Sequence, residues 1–305
     1  MMIFVFSLLL TYLVSLIIFP LLKKFNCRQS VSRSLERHLL KEGTPTMGGF
    51  IFIIPFIILS IIYKINILLV IPSLFYATLG FIDDFIKIKY SNNKGLSIIQ
   101  KFLLELFIAV LFYYLYLISG NSNELCLFNN CFDISFIYGI WVLIMLVSFT
   151  NAVNITDGLD GLCSGLSIIL LLGFLLINKM NNISLSISIV IASLLVFLLY
   201  NKYPAKVFMG DLGSLFLGSF IVCISFLIKK EYLLIIMGSV FIVEIFSSFI
   251  QVISIRLFNK KVFKKAPLHH HFEEYNISEK KVVLYFYVFG ILVMVIGLLI
   301  EKLIT

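Results

Sequence analysis

Two adjacent carboxylates, Asp83 and Asp84, stand in the segment GFIDDFIKI, four and three residues before Lys87. At the closing end of an apolar helix the dipole already disfavours negative charge, and one lysine on the same face offsets only part of it. A divalent cation relieves the remainder, and Mg²⁺ held by carboxylates and substrate phosphates suits that donor set. The plainer alternative is a solvated helix end neutralised by Lys87. A second group lies in NAVNITDGLDGL, residues 151–162, where Asn151, Asn154, Asp157 and Asp160 recur every third position. Helix capping explains one or two such residues, not four that successive turns bring together. Asp211, in VFMGDLGSL, reads either as an N-cap or as part of a phosphate site, since Gly210 and Gly213 let an anion approach the backbone at a helix start.

Other polar residues also ask for a reason. His269, His270 and His271 are consecutive in APLHHHFEE, which is not the four-residue spacing of a helical zinc site. Beside a lysine-rich segment they fit an anionic ligand. Lys41, with Thr44 and Thr46 in KEGTPTMGG, reads as a topology-setting charge or as a phosphate contact. Glu244 and Gln251 stand seven apart on one helix face, inside a long apolar run where an ionised side chain is costly and needs a cavity or a partner.

The elements that must position these groups follow from composition. Of 305 residues, 61% are hydrophobic and 13% charged, and mean hydropathy is +1.08; a soluble domain carries about 25% charged residues. Continuous apolar runs exclude an alternating β-barrel, so the chain reads as one all-α polytopic membrane domain, residues 1–305, with about ten transmembrane helices. The expected spans are 1–22, 47–63, 67–82, 98–118, 134–150, 160–178, 183–200, 212–228, 232–256 and 282–300. The opening segment has no basic start or small-residue cleavage site and reads as a retained helix. Placing both termini outside leaves Lys64, Lys179, Lys229, Lys230 and Lys302 outside and puts the other nineteen of the 24 basic residues inside, Arg28, Arg33, Arg37 and Lys94 among them. The carboxylates, histidines and Lys41 then share a cytoplasmic cleft. The net charge of +8 is accounted for by topology and by anionic membrane lipids rather than by nucleic acid. Cys126 and Cys131 share an outer loop and could bridge where that loop faces an oxidising compartment, though free thiols are the favoured expectation.

In this order and spacing, KEGTPTMGG, DDFIK, NAVNITDGLDGL, FMGDLGSL and APLHHHFE resemble the MraY family, the bacterial phospho-N-acetylmuramoyl-pentapeptide transferases. These belong to the polyprenyl-phosphate N-acetylhexosamine-1-phosphate transferase superfamily. The resemblance implies transfer of phospho-N-acetylmuramoyl-pentapeptide from its UDP-linked form to undecaprenyl phosphate, giving lipid I and UMP for peptidoglycan, with Mg²⁺ and as a homodimer in the bacterial cytoplasmic membrane. Residue by residue it implies catalytic roles for Asp83, Asp84 and Asp211. Asp211 would hold Mg²⁺, with Asp83, Asp84 and Asn154 as further candidate ligands. Lys41, Thr46, Lys87, Lys101, Asn154, Asp157, Asp160, Phe208, Gln251, His269, His270 and His271 fall on substrate-binding positions. Two other readings remain open at this point. One is a related transferase using UDP-N-acetylglucosamine; the other is an ion-coupled transporter built on Glu244, against which stands the gathering of carboxylates at one face.

Overall fold

A computed structural model describes residues 2–25, 27, 41, 43–90, 95–128 and 130–304, so that Arg28, Arg33, Arg37 and Lys94 of the charge count lie outside the described residues. The chain folds into helices α1 Met2–Lys24, α2 Phe50–Ile62, α3 Ile67–Lys89, α4 Ile98–Ile118, α5 Phe136–Thr156, α6 Leu162–Ile177, α7 Asn181–Asn201, α8 Gly210–Leu227, α9 Glu231–Met237, α10 Ser239–Phe258, α11 Leu268–Glu273 and α12 Glu279–Ile304. Between α4 and α5 stand two short strands, β1 Glu124–Leu127 and β2 Asn130–Asp133. Eight helices are long and apolar enough to cross a membrane, and α2 and α6 are shorter apolar helices. This is an all-α polytopic membrane protein, with each expected span on a helix.

The helices run further than hydropathy alone placed them. The third span, expected to close at residue 82, continues to Lys89 and so keeps Asp83, Asp84 and Lys87 on helical turns. The fifth continues to Thr156, carrying Asn151 and Asn154 with it. Polar residues are tolerated there because the helix still satisfies its own backbone. Local signals set the starts: Ser97 and Gln100 form a capping box on α4, and the Asn66 side chain accepts from Leu68 N on α3. The ninth span differs. Gly238 divides it into α9 and α10, and a Cβ there would lie 2.5 Å from the Leu234 carbonyl and 2.7 Å from the Phe149 ring.

Helix α8 is the axis of the bundle and is almost wholly buried. Lipid offers no hydrophobic drive for helices to associate, so close packing and polar contacts do the work. Small residues supply the closeness. A Cβ on Gly80 would fall 2.2 Å from the Asp211 carbonyl oxygen, one on Gly218 2.6 Å from Thr150 Cα, and one on Gly49 2.7 Å from Gly213 Cα. Higher up, Phe216 and Phe220 interleave with Phe52 and Phe56 at centroid distances of 5.1 to 5.9 Å. Helix α1 lies at the periphery. Its exposed side is apolar, while Ser7 donates to the Ile189 carbonyl, Thr11 meets Ser193 at 2.9 Å and Ser15 meets Tyr200 at 3.0 Å along α7.

One end of the bundle carries the hairpin. There Lys229 Nζ donates to the Ser122 and Glu124 carbonyls at 2.6 and 3.1 Å, and Lys230 pairs with Glu301 at 2.8 Å. Helix α1 begins and α12 finishes at this end, because α1 runs alongside α7 in the same direction and α12 closes beside Lys230. The expectation of free thiols at Cys126 and Cys131 is corrected: they form a disulfide. The antiparallel register makes them direct partners, 4.0 Å apart at Cα, a juxtaposition that only the turn between them creates. Cys27, Cys163 and Cys223 are free.

Candidate active site

At the opposite end, α3, α4 and α8 bring the charged residues together. Asp83 Oδ2 pairs with Lys87 at 2.6 Å, one turn along α3, while its Oδ1 accepts the backbone N–H of Leu96 at 2.7 Å. Asp83 thereby pins the segment entering α4, and Gly95 is required there because a Cβ would lie 2.3 Å from that same oxygen. Asp84 Oδ2 accepts from Leu212 N at 3.1 Å. Its carboxylate therefore faces the positive first turn of α8, where a negative charge is favoured.

Asp211 stands in that first turn. It caps nothing; Met209 holds the N-cap position without a side-chain bond. Its Oδ2 instead accepts from Lys101 at 3.0 Å and Lys87 at 3.1 Å, so one carboxylate oxygen is shared by two ammonium groups from different helices. Gly210, at φ +76°, makes the approach possible, since a Cβ there would lie 2.5 Å from Asp84 Oδ2 and 2.9 Å from Thr46 Oγ1. Thr46 is buried beside it, and its hydroxyl has no hydrogen-bond partner among the described residues. Asn154 donates to Ser214 Oγ at 2.9 Å on α8. Phe208 joins the segment through its backbone, donating to the Pro45 carbonyl and accepting from Gly48 N, each at 2.8 Å.

Asp157 follows α5 and connects this cluster to the next. Burial first, then the Asp211 and Asp84 carboxylates, push it well above the ordinary carboxylate range, with the Gly210 N–H acting the other way. One lysine and two carboxylates, Lys41, Asp160 and Glu279, form a second knot: Lys41 Nζ lies 2.6 Å from both Asp160 Oδ1 and Glu279 Oε1. Asp160 also accepts from Ala205 N at 2.8 Å and donates its own N–H to Glu279 at 2.7 Å.

The histidines have separate fates. His269 Nδ1 meets Glu244 Oε2 at 2.8 Å, His270 Nδ1 meets Glu273 Oε2 at 2.8 Å, and His271 Nδ1 accepts from Lys264 N at 3.1 Å. Gln251 accepts from Val262 and Phe263 N–H and donates to the Phe263 carbonyl, so its amide is engaged in holding the loop after α10.

Sequence reasoning left out Glu279 and Glu105. Glu279 is an acid in the first turn of α12, a placement that the helix dipole favours without any further role. Glu105 is buried one turn beyond Lys101 and accepts a short hydrogen bond from the Asn151 amide. Its intramembrane position was the available signal.

The donors are carboxylate and amide oxygens, the chemistry that a hard cation such as Mg²⁺ takes, and the crowding felt by Asp157 is the kind that a cation relieves. Among the described residues no three His, Cys, Asp or Glu side chains are already grouped as a metal cage; the lysines hold the oxygens instead.

Comparison with known proteins agrees with this arrangement. The chain matches the family model for glycosyl transferase family 4 over residues 65–229 and a phospho-N-acetylmuramoyl-pentapeptide-transferase signature over residues 41–53. It is 39% identical to the phospho-N-acetylmuramoyl-pentapeptide-transferase of Bacillus subtilis, with 97% of each chain covered. It is 43% identical to that of Staphylococcus epidermidis, with 97% of this chain and 98% of the relative covered, and 42% identical to that of Oceanobacillus iheyensis, with 97% and 96% covered. With 97% of its length shared, and with the carboxylates and lysines of its motifs meeting at one end of the bundle, the chain belongs to the phospho-N-acetylmuramoyl-pentapeptide transferase family.

Proposed function

We propose that this protein transfers phospho-N-acetylmuramoyl-pentapeptide from UDP to undecaprenyl phosphate in the bacterial cytoplasmic membrane, giving lipid I and UMP. The observation that carries the reading is the convergence of Asp83, Asp84, Asp157 and Asp211 with Lys87 and Lys101 at one end of a bundle of apolar helices. A water-soluble nucleotide and a lipid phosphate can meet only where a polar cleft opens at the membrane surface.

Both reactants are anions, so the protein's task is to position them and offset charge. Lys87 and Lys101 already share Asp211 and can turn toward a phosphate without leaving that carboxylate wholly unpaired. An oxygen of the lipid phosphate attacks the β-phosphorus of the donor, the bond from that phosphorus to the bridging oxygen breaks, and UMP departs. Any proton on the attacking phosphate passes to Asp83, whose second oxygen stays anchored on Leu96 N. Lys41, held by Asp160 and Glu279, and Thr46, whose hydroxyl has no partner among the described residues, serve the nucleotide side. Asp211 would hold Mg²⁺ with Asp84, Asp83 and Asn154 around it. When bound, such an ion screens the pyrophosphate and stabilises the departing phosphate.

The site end is assigned to the cytoplasm, with both termini outside, on the distribution of lysines and arginines. A homodimer belongs to the same reading, and light scattering in detergent tests it. The transporter alternative loses its main support, because Glu244 is committed to His269 in the interior. Purified protein given undecaprenyl phosphate and each UDP-sugar in turn should release UMP with the muramoyl-pentapeptide donor. Turnover of UDP-N-acetylglucosamine alone would reassign the substrate, and no UMP from any donor would overturn the reading.

A further inference from the structure

Glu244 and His269 are both 0% exposed, although one lies within an apolar helix and the other in the short α11. They are joined twice. Glu244 Oε2 lies 2.8 Å from His269 Nδ1, and Oε1 accepts the backbone N–H of His269 at 3.1 Å. A carboxylate only accepts, so the proton of the side-chain bond sits on Nδ1, and the ring cannot turn without losing it. The other ring nitrogen, Nε2, is buried and has no hydrogen-bond partner among the described residues. It lies against Gly158, where a Cβ would stand 2.2 Å away. Gly158 separates Asp157, which feels Asp84 and Asp211, from Asp160, which holds Lys41. The imidazole is thus fixed from behind, and its free nitrogen abuts the loop that joins the two charged clusters.

A buried nitrogen left without a partner is expensive and calls for a role. Packing alone would be better served by an apolar residue, since neither a carboxylate nor an imidazole is needed to fill space.

We propose that Glu244 is a positioning residue for the transfer reaction: it holds His269 so that Nε2 is presented, past Gly158, to a phosphate oxygen of the substrate. This rests on the transferase reading above. With Nδ1 held on the carboxylate, Nε2 meets the phosphate through a proton shared between the ring nitrogen and a phosphate oxygen. Gly158 is the residue that lies over Nε2, and its lack of a side chain is what leaves the ring room there.

The test is a double-mutant cycle on purified protein with Glu244→Gln, His269→Gln and the pair, reading UMP release, KM for each substrate, the pH–rate profile and thermal unfolding. Glu244→Gln should lower kcat about 10–100-fold, leave KM for the nucleotide donor unchanged and move one limb of the pH profile. Glu244→Asp should recover part of the rate, and the double variant should be no slower than His269→Gln. Wild-type kcat in Glu244→Gln, or losses that multiply in the double variant, would overturn the inference while wild-type turnover stands. If Glu244→Gln does not accumulate as folded protein, Glu244→Asp takes its place in the cycle with the same two outcomes. A wild-type protein that releases no UMP from any UDP-sugar overturns the transferase reading and this inference with it.

Discussion

Asp211 and Asp83 differ in what their oxygens touch, and that difference separates their variants. Asp211 faces two lysines on one oxygen, so Asp211→Asn removes the charge that balances both while keeping its size. Activity should fall, and the Mg²⁺ concentration needed for half-maximal rate should rise, as measured by UMP release across a Mg²⁺ titration. Asp83→Asn should cost about 10²–10⁴ in rate, the usual scale for loss of a general base, while equilibrium binding of the UDP-sugar is largely kept. Near-normal rates in both variants would return these residues to helix-end structure, where Asn substitutes well for Asp. Asp157 makes an opposite prediction for stability. Its folded pKa is raised, so the folded state holds the proton more tightly, and stability declines as pH climbs from about 4, the unfolded value, toward the raised one. Asp157→Asn should therefore raise the thermal midpoint of metal-free protein at neutral pH and flatten that decline, even as activity drops.

At the scale of elements, the site depends on how closely α3 and α8 approach. Gly80 faces the Asp211 carbonyl with no room for a methyl group, and the Asp84 bond to Leu212 N crosses the same gap. Gly80→Ala should push the helices apart, costing about 1–3 kcal/mol in thermal unfolding in detergent and lowering activity together with it. Much of this arrangement was legible beforehand. Hydropathy located the helices, and unexplained acids at their ends located Asp83, Asp84, Asp157, Asp160 and Asp211. What stayed hidden depends on partners distant in the chain. Glu279 reads locally as an ordinary first-turn acid, and nothing near it in sequence announces Lys41. The break at Gly238 was hidden too, because hydropathy runs on unchanged across it, and the disulfide depended on a hairpin register that composition does not encode.

For the whole molecule, the two ends are chemically unlike: a disulfide-closed hairpin at one and the lysines, aspartates and histidines at the other. If the hairpin end faces the outside, a single cysteine placed in residues 119–133, in a background without the native cysteines, should be labelled by an impermeant reagent in intact cells, and one placed in 257–281 should not. Labelling of both from the same side would reverse or abolish the proposed orientation. Distance between the ends gives a second expectation: replacing Cys126 and Cys131 by serine should leave UMP release unchanged, because the bridge supports the hairpin and touches nothing at the site. The seam between α1 and α7 bears on time rather than space. Ser7 and its partner on α7 are 182 residues apart, so at about 5–20 residues per second a ribosome reaches α7 roughly ten to forty seconds after α1 is made. Throughout that interval α1 has α2 to pack against, but Ser7, Thr11 and Ser15 lack their partners on α7. The polar seam along α1 thus closes only once α7 has been made.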